Sequence, residues 1–132
     1  GYPQIAKLFR AISEAELIHA KKHLKNMKEL KDTESNLTSS FEGEKNVSEV
    51  LYPDFIKTAH EEDNPIAALA FTYSRDAEEF HASLYKKMLD HFAQERETEY
   101  YVCKVCGYVS DGTLPEKCPI CQAKQEAFFE VK

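Results

Sequence analysis

Two Glu-x-x-His motifs constrain the fold of this chain more than any other feature of its sequence. Glu16 and His19 form the first, and Glu78 and His81 form the second, 62 residues later. Residues three apart lie on one face of a helix, so each pair can present a carboxylate and an imidazole to the same metal ion. A single pair could equally be two helix-surface residues that bond each other. The repetition favours a metal site.

The repeat extends beyond these four residues and predicts two related helices. At the same offset, small, apolar and proline residues coincide: Pro3 with Pro65, Ala6 with Ala68, Phe9 with Phe71, Ala15 with Ala77, and Ala20 with Ala82. A proline suits the first turn of a helix, and the apolar residues that follow it have helical spacing. We therefore predict one helix over about 3–28 and another over about 65–92.

A further helix is predicted between the two copies, over about 34–61. Asp32 or Thr33 is its expected cap, and Pro53 should kink it or break it in two. Glu44 lies on its apolar stripe, where a carboxylate needs a partner because an unpaired buried charge is costly. That stripe consists of Leu37, Phe41, Val47 and Leu51. Short connections between successive helices predict an antiparallel bundle.

Three carboxylates and two imidazoles are thus expected to converge from three helices: Glu16, Glu44, Glu78, His19 and His81. Di-iron bundles use a Glu-x-x-His from each of two helices and a Glu from each of two others. Applied to Glu44, the repeat places the fourth carboxylate about 18 residues before Gly1. We predict that its helix has been removed, lies outside the resolved chain, or is supplied by another chain. A one-metal or empty site is the alternative.

The cysteines form the most specific motif in the sequence. All four lie near the C-terminus, in two Cys-x-x-Cys pairs: Cys103 with Cys106, and Cys118 with Cys121. Four thiolates at this spacing bind one tetrahedral metal ion. So short a segment has little core, so metal binding would supply its folding energy. A disulfide is the alternative, and spacing does not separate iron from zinc. We expect Gly107 to free the loop around the sulfurs, and Asp111-Gly112 to turn between two short strands.

Composition excludes several classes of function. The 132 residues are 42% apolar and 30% charged, with a net charge of −6. This acidic balance argues against a nucleic-acid partner, because phosphate binding needs basic surface. No apolar run approaches the ~20 residues of a membrane span. Cysteines that are confined to a metal motif indicate a reducing compartment, so we expect a cytoplasmic protein with no membrane partner.

Together these features resemble the rubrerythrin family over essentially the whole chain. The resemblance rests on the order of elements, on the cysteine tail, and on the phrases I-A-K-L-F-R-A-I-S-E-A-E-L-I-H-A, N-L-T-S-S-F-E-G-E, L-Y-P-D-F-I and A-E-E-F-H-A. It implies an all-α ferritin-like helix bundle, with three of the four helices in this chain, and a small C-terminal rubredoxin-like metal-bound β domain. The expected boundaries are 1–92 for the bundle, 93–100 for a linker and 101–132 for the rubredoxin-like domain.

The resemblance also implies a function and its residues. It implies a non-haem iron peroxidase that reduces hydrogen peroxide to water at a carboxylate-bridged di-iron site, with electrons delivered through an Fe(Cys)4 centre. The family pattern places di-iron ligands at Glu16, His19, Glu44, Glu78 and His81, with the three glutamates as catalytic ligands. It places the Fe(Cys)4 ligands at Cys103, Cys106, Cys118 and Cys121. Zinc is an alternative metal in either site.

Partners are implied in the same way. The expected electron supply is NADH-linked, through a reductase or a rubredoxin, in a response to oxidative stress. The expected assembly is a homodimer that can exchange helices between its subunits. In the family, the rubredoxin-like domain of one subunit often lies near the di-iron site of the other.

The sequence departs from the family pattern in two places. The first bundle helix and its Glu are absent, and Val47 stands where the family usually has a second Glu, three residues after the position of Glu44. Losing that carboxylate calls the family's redox-linked change of ligands into question and leaves a simpler, ferritin-type ligand set. The competing functions are iron oxidation or storage, as in ferritin, and a non-enzymatic zinc-ribbon scaffold. Storage needs no one-electron relay, so the cysteine tail favours the peroxidase.

Overall fold

A computed structural model describes residues 1–92, 94 and 97–132. Its helical elements are α1 (Pro3–Asn26), α2 (Thr33–Asn46), a π-helical turn (Val47–Leu51), α3 (Tyr52–Glu61) and α4 (Pro65–Asp90). Three strands follow, β1 (Tyr100–Cys103), β2 (Val109–Asp111) and β3 (Phe128–Val131), with a short 3-10 turn at Gln125–Ala127. None of the helices in the described part of the chain is both long and apolar enough to cross a membrane. The chain divides into two compact units, Gly1–Asn36 and Leu37–Lys132.

The first unit contains α1 and the cap of α2. Pro3 lies in the first turn of α1, as predicted, and the N–H of Met27 closes the last turn on the carbonyl of His23. No residue of α1 is buried. At the start of α2, Asp32 Oδ1 accepts the N–H of Ser35 at 2.9 Å, which confirms Asp32 as the predicted cap.

The helix predicted over 34–61 is broken, and the break begins before Pro53. Val47–Leu51 form a π-helical turn, and Pro53 lies in the first turn of α3, where its missing N–H costs little. A proline cannot bond the carbonyl four residues earlier, and its ring crowds that carbonyl. The wider turn lies at that position, which accounts for a break that starts at Val47. Sequence spacing alone predicted the break but not the π turn.

In the second unit, α3 and α4 form an antiparallel hairpin. Asn64 Oδ1 accepts the N–H of Ala67 at 3.1 Å, so the predicted cap at the start of α4 is confirmed. The buried residues of this hairpin are all small: Ala59, Ala68, Ala77 and Ala82. Small side chains let the two helices approach closely. The rings of Tyr52, Phe55 and Phe71 pack together beside them, with centroids 5.6 to 6.2 Å apart.

The C-terminal strands form an antiparallel sheet in the order β2-β1-β3. The sequence predicted β1 and β2 with a turn at Asp111-Gly112, where Gly112 has a φ of 81°, but missed β3. Tyr100, predicted as linker, is the first residue of β1. Ala93, Glu95 and Arg96 of the predicted linker lie outside the described residues. The buried core of the sheet consists of Cys103, Tyr108, Cys118 and Phe128.

Candidate metal centres

The two Cys-x-x-Cys pairs form matching turns. The N–H of Gly107 bonds the carbonyl of Cys103 at 2.9 Å, and the N–H of Gln122 bonds the carbonyl of Cys118 at 3.0 Å. Both donors have positive φ angles, 80° for Gly107 and 61° for Gln122. Gly107 adopts this conformation without steric cost, as its place in the motif predicted. Each turn brings its two thiols to one side of the chain.

The four sulfur atoms fit a tetrahedral metal ion. Cys103 Sγ lies 3.7 Å from Cys121 Sγ, and Cys106 Sγ lies 3.4 Å from Cys118 Sγ. All four sulfurs lie within 4.8 Å of one another, and all four cysteines are free. A metal ion with metal–sulfur bonds of about 2.3 Å separates its ligands by roughly 3.8 Å in a tetrahedron. The arrangement therefore fits iron or zinc, and the disulfide alternative is not realised.

The thiols differ in their acidity. Burial works to raise the pKa of Cys103, but the backbone N–H groups of Cys106 and Val105 and the neighbouring thiols outweigh it, so that pKa is lowered. Burial raises the pKa of Cys106 and of Cys121 above the ordinary thiol value. Because a metal ion binds the thiolate form, loading this site releases protons.

A second cluster contains Glu44 from α2 and Glu78 and His81 from α4. One ligand atom from each lies within 4.8 Å of the others. His81 Nδ1 lies 2.8 Å from Glu78 Oε2, and these two side chains are only 22% and 25% exposed. The predicted i, i+3 pairing on one helix face is thus present, and the Glu predicted on the neighbouring helix joins it.

The carboxylates of this cluster are crowded. Partial burial, a hydrogen bond to Glu78 and the charge of Glu78 raise the pKa of Glu44 to about 7, and the charge of His81 opposes the shift only in part. A cation among these oxygens would relieve the crowding that raises this pKa. Carboxylate oxygens together with an imidazole nitrogen form a donor set that suits iron.

The second ring nitrogen of His81 contacts the rubredoxin-like segment. Nε2 lies 3.0 Å from the carbonyl oxygen of Gly107. Because a carbonyl only accepts hydrogen bonds, Nε2 carries a proton, and a neutral ring then turns the Nδ1 lone pair towards Glu78. Metal-binding histidines are commonly fixed in this way by a backbone carbonyl. The sequence carried no signal of this contact, which joins residues 26 positions apart.

Glu16 and His19 form the corresponding pair on α1. His19 Nδ1 lies 3.2 Å from Glu16 Oε2, and the two side chains are 59% and 69% exposed. The same two atoms meet as in the pair on α4, so the two copies of the repeat have the same local geometry. This pair lies in the first unit, and its convergence with Glu44, Glu78 and His81 stays a prediction.

A cavity of about 350 Å³ opens beside the cluster in the second unit. Glu44 and His81 contribute to its wall, and most of the remaining wall is apolar, including Leu84 and Met88. A small molecule therefore has access to the ligand atoms through a largely apolar space.

Comparisons with known proteins agree with both centres. The family model described as Rubrerythrin matches residues 1–89, and that of the rubrerythrin rubredoxin-like domain matches residues 101–129. Rubrerythrin-2 of Clostridium acetobutylicum is 32% identical over 145 residues, covering 97% of this chain and 79% of that protein. Nigerythrin of Nitratidesulfovibrio vulgaris is 33% identical over 142 residues, covering 97% and 70%.

Solved structures agree as well. A structure of nigerythrin in a partially reduced state matches with a TM-score of 0.73 and 33% identity, over 99% of this chain and 72% of that one. These findings confirm the predicted fold class, a helical bundle followed by a small rubredoxin-like β domain. They also confirm iron as the cofactor, for which the Glu–His and four-cysteine clusters provide sites. The chain belongs to the rubrerythrin family.

Proposed function

We propose that this chain is a non-haem iron peroxidase that reduces hydrogen peroxide to water at a carboxylate-bridged di-iron site. Electrons enter through the four-cysteine iron. The observation that supports this proposal best is the pair of contacts made by His81, to Glu78 through Nδ1 and to Gly107 through Nε2. A storage protein has no use for a thiolate centre bonded to its carboxylate cluster.

The proposed ligands are the residues that carry the two motifs. Glu44, Glu78 and His81 hold the di-iron site together with the pair on α1, Glu16 and His19. The thiolates of Cys103, Cys106, Cys118 and Cys121 hold the second iron. The place of Glu16 and His19 in this set rests on the repeat, because α1 and α4 carry the same pair of atoms at the same spacing.

Bound iron supplies the two electrons that, with two protons, convert hydrogen peroxide to two molecules of water. The protein contributes binding and surroundings. The carboxylates of Glu44 and Glu78 offset the positive charge of the metals, and Nε2–H of His81 holds its ring by bonding the carbonyl of Gly107. The largely apolar cavity beside Glu44 and His81 limits water near the ligands while it admits a molecule as small as peroxide.

The chain also links its two centres by a short path. Gly107 follows Cys106 directly, and its carbonyl accepts the hydrogen bond from His81 Nε2 at 3.0 Å. A few covalent bonds and one hydrogen bond therefore run from a thiolate ligand to an imidazole ligand. Such a path suits one-electron transfer, and the surroundings of a thiolate iron set its reduction potential.

Several partners follow from this function. The four-cysteine iron needs a one-electron donor, either a rubredoxin or an NADH-linked reductase. Free thiols reserved for metal favour a reducing, cytoplasmic compartment. A homodimer that exchanges helices would bring further ligands to the bundle site.

The proposal is tested by mixing the chemically reduced, iron-loaded protein with hydrogen peroxide in the absence of oxygen. We expect the colour of the ferric thiolate centre to return quickly, with two electrons consumed per peroxide. A reduced spectrum that stays unchanged would refute the peroxidase. Zinc in the four-cysteine site of the purified protein would instead favour a zinc-ribbon scaffold.

A further inference from the structure

A buried carboxylate in the rubredoxin-like domain is paired with the bundle. The side chain of Asp111, at the end of β2, is only 10% exposed. Its Oδ2 forms an ion pair with Nζ of Lys87 on α4, and its Oδ1 accepts a hydrogen bond from the Thr98 hydroxyl at 2.8 Å. A carboxylate buried to this extent needs such partners, because leaving it without a compensating charge is unfavourable.

Helix α4 contacts the domain at a second place, two turns away. The ring of Phe80 packs on that of Tyr108 with centroids 4.6 Å apart, and Phe80 lies against the core that Cys103 and Cys118 help to form. Residues seven apart lie on the same face of a helix. Phe80 and Lys87 thus attach the domain at two points along one face of α4, and the bond from His81 to Gly107 lies at the first point.

Two attachment points define an orientation, whereas one leaves a rotation free. Apolar packing at Phe80 is largely non-directional. The ion pair adds the directional constraint, because Asp111 is buried and Lys87 is the cation that meets it. When the domain rotates about Phe80, the pair separates and the carbonyl of Gly107 moves away from His81.

We propose that Lys87 and Asp111 are positioning residues that seat the rubredoxin-like domain on α4 of its own chain. Electrons from the four-cysteine iron then reach the carboxylate site of the same chain. This arrangement differs from the family habit of pairing the domain with the site of the other subunit. The electron route rests on the proposed peroxidase function, whereas the seating of the domain does not.

Charge exchange within one chain tests the pair. Lys87→Glu and Asp111→Lys each place like charges opposite one another, and the double variant restores attraction with the signs reversed. Lys86→Glu is the matched control, since Lys86 is the neighbouring lysine and pairs with Asp90 on α4 itself. We expect each single variant to slow peroxide-driven reoxidation of the thiolate iron at least tenfold. The double variant should recover most of the rate, and the control should keep it.

Seating is measured separately on zinc-loaded protein, by the NMR shifts that the Phe80 ring induces in the ring protons of Tyr108. Each single variant should lose these shifts, and the double variant should regain them. If wild type fails to react with peroxide but keeps this pattern, the peroxidase fails and the seating stands. Shifts that are unchanged in both single variants would overturn the proposal.

Co-expression distinguishes seating within a chain from seating between chains. Lys87→Glu chains and Asp111→Lys chains, with different tags, are produced together, and the species carrying both tags and the unpaired species are measured. Within-chain seating predicts that the shifts remain lost in every species, because each chain keeps one mismatched pair. Recovery in the mixed species would show that the domain sits on the partner's helix, and would overturn the proposal.

Discussion

Nε2 of His81 lies 3.0 Å from the carbonyl oxygen of Gly107, so a side chain of the carboxylate cluster bonds the residue that follows Cys106. Through Nδ1 the same ring reaches Glu78. Helix α4 therefore presents a candidate iron ligand and a contact with the four-cysteine domain in one residue. The predictions below test each side of this relationship.

Removing metal from the cysteines should unfold the rubredoxin-like domain and leave the helical hairpin intact. The buried core of the domain is four residues, and two of them are cysteines, Cys103 and Cys118. Metal binding must therefore supply much of its folding energy. Chelation, or Cys118→Ser, should abolish protection from hydrogen exchange across 101–131 while α3 and α4 remain protected. Lys104→Ala, an exposed change within the same motif, should leave both protected.

Metal affinity at the carboxylate cluster should rise with pH up to about 7 and then level off. Glu44 has a pKa of about 7 in the metal-free protein, so below that pH a metal ion must displace its proton. Affinity should therefore rise at most about tenfold per pH unit below 7. Titrations in buffers of different ionisation enthalpy should detect the released proton. In Glu44→Gln the proton release should disappear; a release that persists would assign the proton to another group.

The same pKa shift makes a prediction of opposite sign for the stability of the metal-free protein. The pKa of Glu44 is raised by folding, so the folded state holds a proton that the unfolded state has already lost. This contribution to stability is complete below the ordinary carboxyl value and is lost as pH rises through about 7. The melting temperature of metal-free protein should fall over that window, and Glu44→Gln should flatten the fall.

Two glycine substitutions should change stability in opposite directions. A Cβ at Gly43 or at Gly107 would meet no atom within 4 Å, so neither change creates a clash. Gly43 lies inside α2, where alanine is favoured by about 0.5–1 kcal/mol. Gly107 has a φ of 80°, which costs a residue with a Cβ roughly 1–3 kcal/mol. Denaturant unfolding of the metal-loaded protein should show a gain for Gly43→Ala and a loss for Gly107→Ala. Equal effects would contradict the left-handed turn at Gly107.

Enlarging a buried alanine of α4 should separate the helices. Ala77 is 2% exposed and lies next to Glu78, so Ala77→Leu should cost about 1–3 kcal/mol and weaken metal binding at the cluster. Ala70→Leu places the same side chain at an exposed position of α4 and should change neither quantity appreciably. Unfolding curves and metal titrations of the two variants make the comparison.

Local patterns in the sequence predicted the helices, both i, i+3 pairs and the thiolate cluster, because each depends on residues close together in the chain. The caps at Asp32 and Asn64 are likewise set within one turn. Periodicity could not predict the π turn at Val47–Leu51, which depends on how the chain accommodates Pro53. It missed β3 because that strand is defined by pairing with β1, about thirty residues away.

Contacts between distant segments were beyond reach for the same reason. Lys87 and Asp111 are ordinary charged residues in the sequence, and only the folded chain brings them together and buries the carboxylate. The contact of His81 with Gly107 uses a backbone carbonyl, which every residue possesses, so the sequence cannot single it out. The place of Glu16 and His19 in a common site stays a prediction from the repeat.

The most direct test of the account compares wild type with Glu78→Gln when each is fully reduced and mixed with peroxide without oxygen. Both keep the four-cysteine iron, but the variant lacks a carboxylate of the bundle cluster. If peroxide reacts at the cluster and draws electrons through His81 and Gly107, the ferric thiolate colour should return rapidly in wild type and at least a hundredfold more slowly in the variant. Equal rates in the two proteins would mean that peroxide reacts at the thiolate iron itself, and would contradict the account.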